Sequence, residues 1–285
     1  MTPAAAGTAG PVATLMARLT TAATLLAVCI AAMFMLENHW WAAALLVVLL
    51  GAAWEWGALV GYTRAARWAF CGVILAAAIV LYYLTAVTGS RIAGGMPLEM
   101  VVYAAGCVFW VLIAPAWLIG RWDVKGPLMA AIAGGAVLLP AWLAIARLQS
   151  DPLQLLQWLG IVWLADTAAY ITGRSWGRHK LAPAISPGKT WEGVAGAAAA
   201  VAVYYVVLSG FASAHPWITG WGGRLFFAGV MVLSIVGDLL ESWVKRRAGV
   251  KDSGALLPGH GGVLDRIDGL TASMPLAALL AKLLG

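Results

Sequence analysis

Charged side chains are concentrated in one stretch of this sequence, residues 237–269, which holds five carboxylates, five Lys or Arg residues and one His. Four polar residues of its first part fall at positions i, i+3, i+4 and i+7: Asp238, Glu241, Ser242 and Lys245. These positions share one face of an α-helix. Because charge near hydrocarbon is costly, such a cluster in an apolar chain predicts a functional site.

The second part of the stretch is a glycine-rich loop, and the third part begins the last apolar helix. Residues 247–262 contain six Gly or Pro residues, which disfavour a helix and let backbone N–H groups approach an anion. Asp265 and Asp268 follow, one helical turn apart. Carboxylates from two segments therefore converge on a hard cation, and Mg²⁺ prefers such oxygen ligands.

Acidic and basic residues together predict phosphoryl or nucleotidyl transfer, in which a metal and cationic side chains stabilise charge that develops at phosphorus. The predicted metal ligands are Asp238, Asp265, Asp268 and Glu241. The basic residues expected around a polyanion are Lys245, Arg246, Lys251 and Arg266. Glu241 has a second interpretation, in which it orients Lys245 or ligates a second cation.

The composition places this site in a membrane. The chain is 62% hydrophobic and 11% charged, whereas soluble proteins average about 25% charged residues. We therefore predict an all-α, polytopic integral membrane protein. Each span needs about 20 apolar residues, and nine candidates satisfy this: 19–36, 40–60, 69–88, 99–119, 127–146, 153–173, 193–210, 224–244 and 268–284.

The connections between these spans differ in charge. With a cytoplasmic N-terminus, one side receives fourteen Lys or Arg residues and the other side four, which agrees with the positive-inside tendency. This orientation places the site in a polar cavity at the cytoplasmic side of the inner membrane. We divide the chain into a flexible cytoplasmic N-terminus (1–18), scaffold helices (19–150) and a catalytic region (151–285).

The sixth predicted span carries polar residues on one stripe. Asp166, Tyr170 and Arg174 lie at i, i+4 and i+8, and these positions follow one another along a helix face. One interpretation is a packing hydrogen bond between helices. The other is that Asp166 lines the same polar cavity as Asp238.

Residues 181–193 form a predicted loop before the next apolar helix. Its hydroxyl groups and lysine near a helix N-terminus make an anion site, whereas helix capping by Thr190, with Glu192 in the first turn, explains the same residues on local grounds. The candidate substrate-binding residues of this loop are Ser186, Lys189, Thr190 and Glu192.

Two further ionisable residues each have two interpretations. His260 lies among glycines, where it binds a phosphate or anchors the loop, and no zinc-like spacing accompanies it. Glu55 lies near the cytoplasmic end of the second predicted span. We interpret it as a snorkelling or locally paired carboxylate and not as a substrate contact.

The order S-x-V-K-R-x4-K-D-x-G-x2-L-P-x-H-G-G-V-x-D-R-I-D, from Ser242 to Asp268, resembles the hallmark motif of the phosphatidate cytidylyltransferases. A D-x-x-A-Y helix at Asp166 and an S-P-x-K-T-x-E-G loop at Ser186 are also similar to that family, although Gly188 stands where many members have a second Lys. The resemblance covers the C-terminal 125 residues well, while the preceding helices match only in apolarity and spacing.

The resemblance implies transfer of CMP from CTP to phosphatidic acid, with Mg²⁺, by a homodimer in the bilayer and without nucleic acid. It adds further substrate-binding residues to the loop set: Ser242, Asp252, His260, Gly261, Gly262, Asp166 and Tyr170. Two alternatives remain: cytidylyl transfer to another lipid or isoprenoid phosphate, and an anionic-solute transporter. The gathering of charge at one face, with no inverted repeat, disfavours the transporter.

Overall fold

The computed structural model describes residues 23–24, 26–92, 95–124, 126–210, 216–256 and 261–284. The described chain is almost entirely helical, as the sequence predicts. Its ten α-helices are α1 (Leu26–Met35), α2 (Asn38–Leu59), α3 (Arg64–Tyr82), α4 (Leu98–Val108), α5 (Ala114–Gly120), α6 (Pro127–Leu148), α7 (Pro152–Trp176), α8 (Trp191–Gly210), α9 (Trp221–Arg247) and α10 (Leu264–Leu284). Two π-helical turns, Tyr83–Val87 and Phe109–Ile113, extend α3 and join α4 to α5, and a 3₁₀ turn, Pro216–Thr219, precedes α9.

Seven helical segments of the described chain are long and apolar enough to cross a membrane. They coincide with the second to eighth predicted spans, so the protein is a multi-pass membrane protein. The first predicted span, 19–36, contributes only the short helix α1, and part of it lies outside the described residues, as does the predicted N-terminal segment 1–18. The ninth lies within α10, which carries four charged residues and is not among the seven.

Helix ends are set by local sequence. Asp151 accepts a hydrogen bond from Gln154 N at the start of α7, with Pro152 in the first turn. Thr63 accepts one from Ala66 N at the start of α3. Side chains of this kind satisfy N–H groups that have no partner within the helix.

Helix α10 lies in the interior of the bundle, where it packs against α9, α6 and α4. Its residues Ala272, Met274 and Ala277 have no exposed surface. Gly237 lets α9 lie very close to α10, because a Cβ atom at this position would lie 2.3 Å from the backbone oxygen of Asp268. This contact brings together the two helices that carry the predicted acidic residues.

The predicted loop 181–193 is not irregular, and this corrects our expectation. Strands β1 (Lys180–Ala182) and β2 (Ser186–Thr190) form an antiparallel hairpin in which Lys180 pairs with Thr190 and Ala182 with Ser186. The hairpin connects α7 to α8 and also contacts α9. The sequence suggested only a turn because Pro187 and Gly188, which are poor strand formers, stand inside β2.

Candidate active site

The predicted polar face of α9 is present. Ser242 Oγ donates a hydrogen bond to Asp238 Oδ1 at 3.2 Å, and Lys245 Nζ lies 3.3 Å from Glu241 Oε2. Glu241 and Ser242 are buried, while Asp238 and Lys245 are partly accessible. The spacing in the sequence therefore placed these four side chains correctly relative to one another.

Lys245 also connects α9 to the start of α10. Its Nζ lies 2.6 Å from Asp265 Oδ1. The other oxygen, Asp265 Oδ2, accepts hydrogen bonds from the backbone N–H groups of Ser253 and Gly262, both at 2.9 Å. Asp265 is thus held by an ammonium group and by two amides of the preceding loop.

Glu55 of α2 is part of the same assembly, which the sequence did not reveal. Its side chain accepts hydrogen bonds from Ser253 Oγ (2.8 Å), Val263 N (3.0 Å) and Leu264 N (2.9 Å). Only 2% of Glu55 is exposed. Our interpretation of a snorkelling or locally paired carboxylate is therefore wrong, because Glu55 is buried and caps α10, about two hundred residues further along the chain.

Two glycines make room for the Glu55 carboxylate. A Cβ atom at Gly254 would lie 2.4 Å from Glu55 Oε1, and one at Gly262 would lie 2.5 Å from Oε2 and 1.9 Å from Ser253 Oγ. Gly261 has φ +86°, a conformation that favours glycine. The glycines that we predicted to bind an anion thus also leave space for the buried Glu55 side chain.

Four carboxyl groups lie close together beside these contacts. Glu241 and Asp268 are close enough to interact electrostatically. Asp238 is close enough to interact electrostatically with Asp268 and with Asp166. Asp166 thus lies near Asp238, and the interpretation that the two line one polar cavity stays a prediction.

Glu241 is a buried member of this group that lacks hydrogen-bond donors. It is 6% exposed, and neither carboxylate oxygen accepts a hydrogen bond from another described residue. Lys245 lies at ion-pair distance but is directed to Asp265, and an ionised Asp268 has no proton to donate. A buried carboxylate without donors is costly, so Glu241 and its acidic neighbours suit a cation.

The hairpin supplies a second lysine to the acidic group. Lys189 Nζ of β2 lies 2.7 Å from Asp238 Oδ2. Thr190 is buried, and its Oγ1 accepts a hydrogen bond from Gly193 N at 3.1 Å. Glu192 lies 2.6 Å from His179 Nδ1. Thr190 thus makes the contact that helix capping predicts, whereas Glu192 binds His179 outside α8. Substrate binding by both residues stays a prediction.

The remaining predicted residues lie on α7, β2, α9, α10 and the loop between α9 and α10. Ser186 begins β2, and Arg246 donates hydrogen bonds to the backbone oxygens of Ile185 in the hairpin (3.4 Å) and Val250 in the loop (3.2 Å). Tyr170 accepts a hydrogen bond from Arg174 at 2.7 Å, so the predicted stripe on α7 is present. Five of the predicted side chains are exposed: Tyr170, Arg246, Lys251, Asp252 and Arg266. His260 lies outside the described residues.

The acidic group fits a magnesium ion in its donor chemistry. Within the described ranges, no three Asp, Glu, His or Cys side chains stand ready to enclose a metal ion. Mg²⁺ usually takes only one or two carboxylates, with water and substrate phosphates as its other ligands. Glu241, Asp268 and Asp238 provide such oxygens. Asp265 would first have to exchange Lys245 for the ion.

The fold and site define a membrane-embedded, carboxylate-rich transferase, and comparison with known proteins identifies the family. Residues 16–284 match the cytidylyltransferase family. The chain is 38% identical to a phosphatidate cytidylyltransferase of Pseudomonas aeruginosa over 92% of this chain and 95% of that relative. It is 33% identical to one of Haemophilus influenzae over 90% of this chain and 95% of the relative. The chain belongs to the cytidylyltransferase family.

Proposed function

We propose that this protein transfers CMP from CTP to phosphatidic acid, which yields CDP-diacylglycerol and pyrophosphate for phospholipid synthesis. The observation that carries the proposal is the meeting of Asp238 and Asp268 with Lys189 and Lys245 where α9, α10 and the hairpin converge. Family membership and the names of the relatives support the choice of nucleotide and lipid.

In this reaction a phosphate oxygen of phosphatidic acid attacks the α-phosphorus of CTP. A new P–O bond forms, the bond to the β-phosphate oxygen breaks, and pyrophosphate leaves with that electron pair. A phosphate monoester has a second pKa of about 6, so the attacking group is already ionised near neutral pH. The protein therefore has to position two anions and neutralise their charge.

The two lysines are suited to this task because each pairs with a carboxylate of the acidic group. Lys189 pairs with Asp238, and both side chains are partly accessible. Lys245 pairs with Asp265 and Glu241. When a metal and triphosphate bind, we propose that Lys189 exchanges Asp238 for a phosphate oxygen, and that Lys245 does the same once Asp265 has turned to the ion. Arg246, Lys251 and Arg266 supply further positive charge.

The ion that this site would hold is Mg²⁺, with Glu241, Asp268 and Asp238 as its nearest protein ligands and Asp265 as a further predicted one. Bound Mg²⁺ neutralises charge on the phosphates and orients them. A second cation beside Glu241 remains part of the proposal.

Three further properties belong to the proposal. We place the protein in the cytoplasmic membrane with its site facing the cytoplasm, because that side receives most basic residues of the loops and CTP is present there. The family resemblance implies a homodimer. Light scattering of the detergent-solubilised protein measures its oligomeric state.

The direct test is pyrophosphate release from CTP by the purified protein, with and without phosphatidic acid and Mg²⁺. We expect release only when both are present, and loss of release after chelation. Asp238→Asn should lower kcat by about 100-fold, the usual size for removal of one electrostatic contact to the transition state. Asp123→Asn is the matched control, because Asp123 pairs with Arg247 outside the acidic group.

Two results would contradict the proposal. If another lipid or isoprenoid phosphate is turned over at a higher kcat/KM than phosphatidic acid, the proposed lipid substrate is wrong, while cytidylyl transfer remains the reaction. If Asp238→Asn remains folded and monodisperse and keeps full activity, the acidic group has no part in the reaction.

A further inference from the structure

The hairpin that carries Lys189 has little strand pairing of its own. Its register is defined by the pairs Lys180 with Thr190 and Ala182 with Ser186, and the ladder is irregular between them. An isolated two-stranded hairpin is marginally stable at best in water. The register of this hairpin, and with it the direction of Lys189, therefore depends on contacts outside the ladder.

The register matters because successive side chains of a strand face opposite sides. Thr190 is buried against the end of α7, where a Cβ atom at Gly173 would lie 3.0 Å from Thr190 Oγ1. Lys189 faces the other side, and its Nζ reaches Asp238 Oδ2 of α9 at 2.7 Å. A slip of one residue would exchange the two faces of the strand, which would take the lysine away from the acidic group.

Glu192, the second residue of α8, fastens the base of the hairpin. Its two carboxylate oxygens accept the backbone N–H of His179, both at 3.2 Å, and Oε1 also lies 2.6 Å from His179 Nδ1. Trp191 N donates to the backbone oxygen of His179 at 2.9 Å. Because His179 directly precedes β1, these contacts tie the start of the first strand to the start of α8.

These contacts suit Glu192 to hold the hairpin and not to bind a phosphate. Both of its oxygens already accept hydrogen bonds from His179, and hydrogen bonds to a charged acceptor are the stronger ones. A carboxylate also repels a phosphate group. The carboxylate therefore serves better as an internal acceptor than as a ligand of the triphosphate.

The turn end of the hairpin is held separately. Ile185 packs against the hydrophobic core, and its backbone oxygen accepts a hydrogen bond from Arg246 Nε of α9 at 3.4 Å. Lys189 lies between this end and the base, three residues before Glu192. The position of its ammonium group is thus set from both ends of β2.

We propose that Glu192 is a positioning residue, which fixes the register of the hairpin through His179 and so holds Lys189 at the acidic group. This inference rests on the proposed function and deepens it. Glu192, one of the predicted substrate-binding residues, then acts on CTP through Lys189 and makes no contact with the nucleotide itself.

The kinetic test is a double-mutant cycle between Glu192 and Lys189. Glu192→Ala should raise the KM for CTP by about 10-fold, the size expected for loss of the Lys189 contact. Added to Lys189→Ala, it should raise the KM no further, because residues that act through one contact are not additive. Glu192→Gln should recover most of the loss, since its amide oxygen still accepts the His179 N–H.

The control is Glu37→Ala, because Glu37 lies 3.4 Å from His39 in another exposed Glu–His pair, between α1 and α2. It should leave the KM for CTP unchanged. If the losses of Glu192→Ala and Lys189→Ala instead multiply to about 100-fold, Glu192 contacts the nucleotide directly and the positioning role is wrong.

A labelling measurement separates this role from the proposed activity. An amine-reactive ester acylates lysines without CTP or Mg²⁺, and mass spectrometry follows each site. The Lys189 side chain is 21% exposed and paired with Asp238, so Glu192→Ala should speed its acylation by about 10-fold, the factor for one charged hydrogen bond. Acylation of Lys180, which is exposed, should not change.

His179→Ala removes the ring contact from the other partner and keeps the backbone N–H, so it should speed acylation of Lys189 by a smaller factor of about 3. Faster acylation of Lys189 in a protein that releases no pyrophosphate would retain the positioning role and reject the activity. Native acylation of Lys189 in folded Glu192→Ala, or in folded His179→Ala, would overturn the proposal.

Discussion

Replacement of Glu55 by Gln tests whether a residue of the N-terminal half holds the loop that carries the site. The carboxylate accepts three hydrogen bonds, two at Oε2 and one at Oε1. Gln replaces one acceptor oxygen with an NH₂ group, so at least one N–H or O–H donor of the loop faces another donor. A hydrogen bond to a charged group contributes about 1.5–3 kcal/mol, and we expect a local loss of that size.

The assay is hydrogen exchange at the amides of Val263 and Leu264, which Glu55 binds directly. Exchange of such amides reports local opening of the structure. Since about 1.4 kcal/mol corresponds to a factor of ten, their protection should fall by roughly 10- to 100-fold in Glu55→Gln. Native protection of both amides in this variant would refute the capping role that the distances indicate.

Glu37→Gln is the matched control for this experiment. The Glu37 side chain is 79% exposed and pairs only with His39 among the ion pairs of the described residues. Glu37→Gln makes the same change from carboxylate to amide as Glu55→Gln, but at the surface, where an ion pair contributes little to stability. We expect no change in protection of Val263 or Leu264, so a loss in both variants would indicate a general effect of charge and not of the Glu55 contacts.

Three further expectations follow from other contacts. Gly237→Ala should destabilise the protein by about 1–3 kcal/mol in thermal unfolding, because its Cβ would overlap a backbone oxygen of α10, whereas Gly72→Ala has open space and should not. Lys189→Ala should raise the KM for CTP by about 10-fold, because one charged contact contributes about 1.4 kcal/mol or more. The same variant should bind Mg²⁺ more tightly in calorimetry without nucleotide, because the ammonium group no longer competes for the Asp238 carboxylate. Lys180→Ala, at an exposed lysine, should change neither quantity. Glu99→Gln should cost about 3 kcal/mol of stability, since it breaks a buried contact to two basic side chains, with kcat unchanged in the folded fraction. The role of Gly237 would be contradicted by an unchanged unfolding temperature in Gly237→Ala. That of Lys189 would be contradicted by an unchanged KM in Lys189→Ala, and the purely structural role of Glu99 by a loss of kcat in Glu99→Gln.

Sequence periodicity was sufficient for most helices and for the polar face of α9. Apolar runs of about 20 residues marked seven helices, because the bilayer itself sets that length. The i, i+3, i+4 and i+7 pattern placed Asp238 beside Ser242 and Glu241 beside Lys245, because these spacings fix neighbours on any α-helix. Both predictions depend only on local geometry.

Sequence periodicity could not predict contacts between residues that are far apart in the sequence. Glu55 and Ser253 are 198 residues apart, and no local pattern relates them. The signal available was the carboxylate itself, since a charged residue within an apolar helix marks a functional or structural site by default. The Lys189–Asp238 pair likewise required the hairpin to fold against α9, which the turn residues of β2 did not predict.

The charge of the assembled site explains why its lysines face carboxylates. The acidic residues that converge on it are Asp166, Asp238, Glu241, Asp265 and Asp268. Against five carboxylates stand Lys189 and Lys245, which leaves three negative charges when every group is ionised. One divalent ion offsets two of them, so either a second cation or a shared proton has to offset the third. A triphosphate then brings its own negative charge, which the lysines can meet only after the metal has taken over their carboxylates.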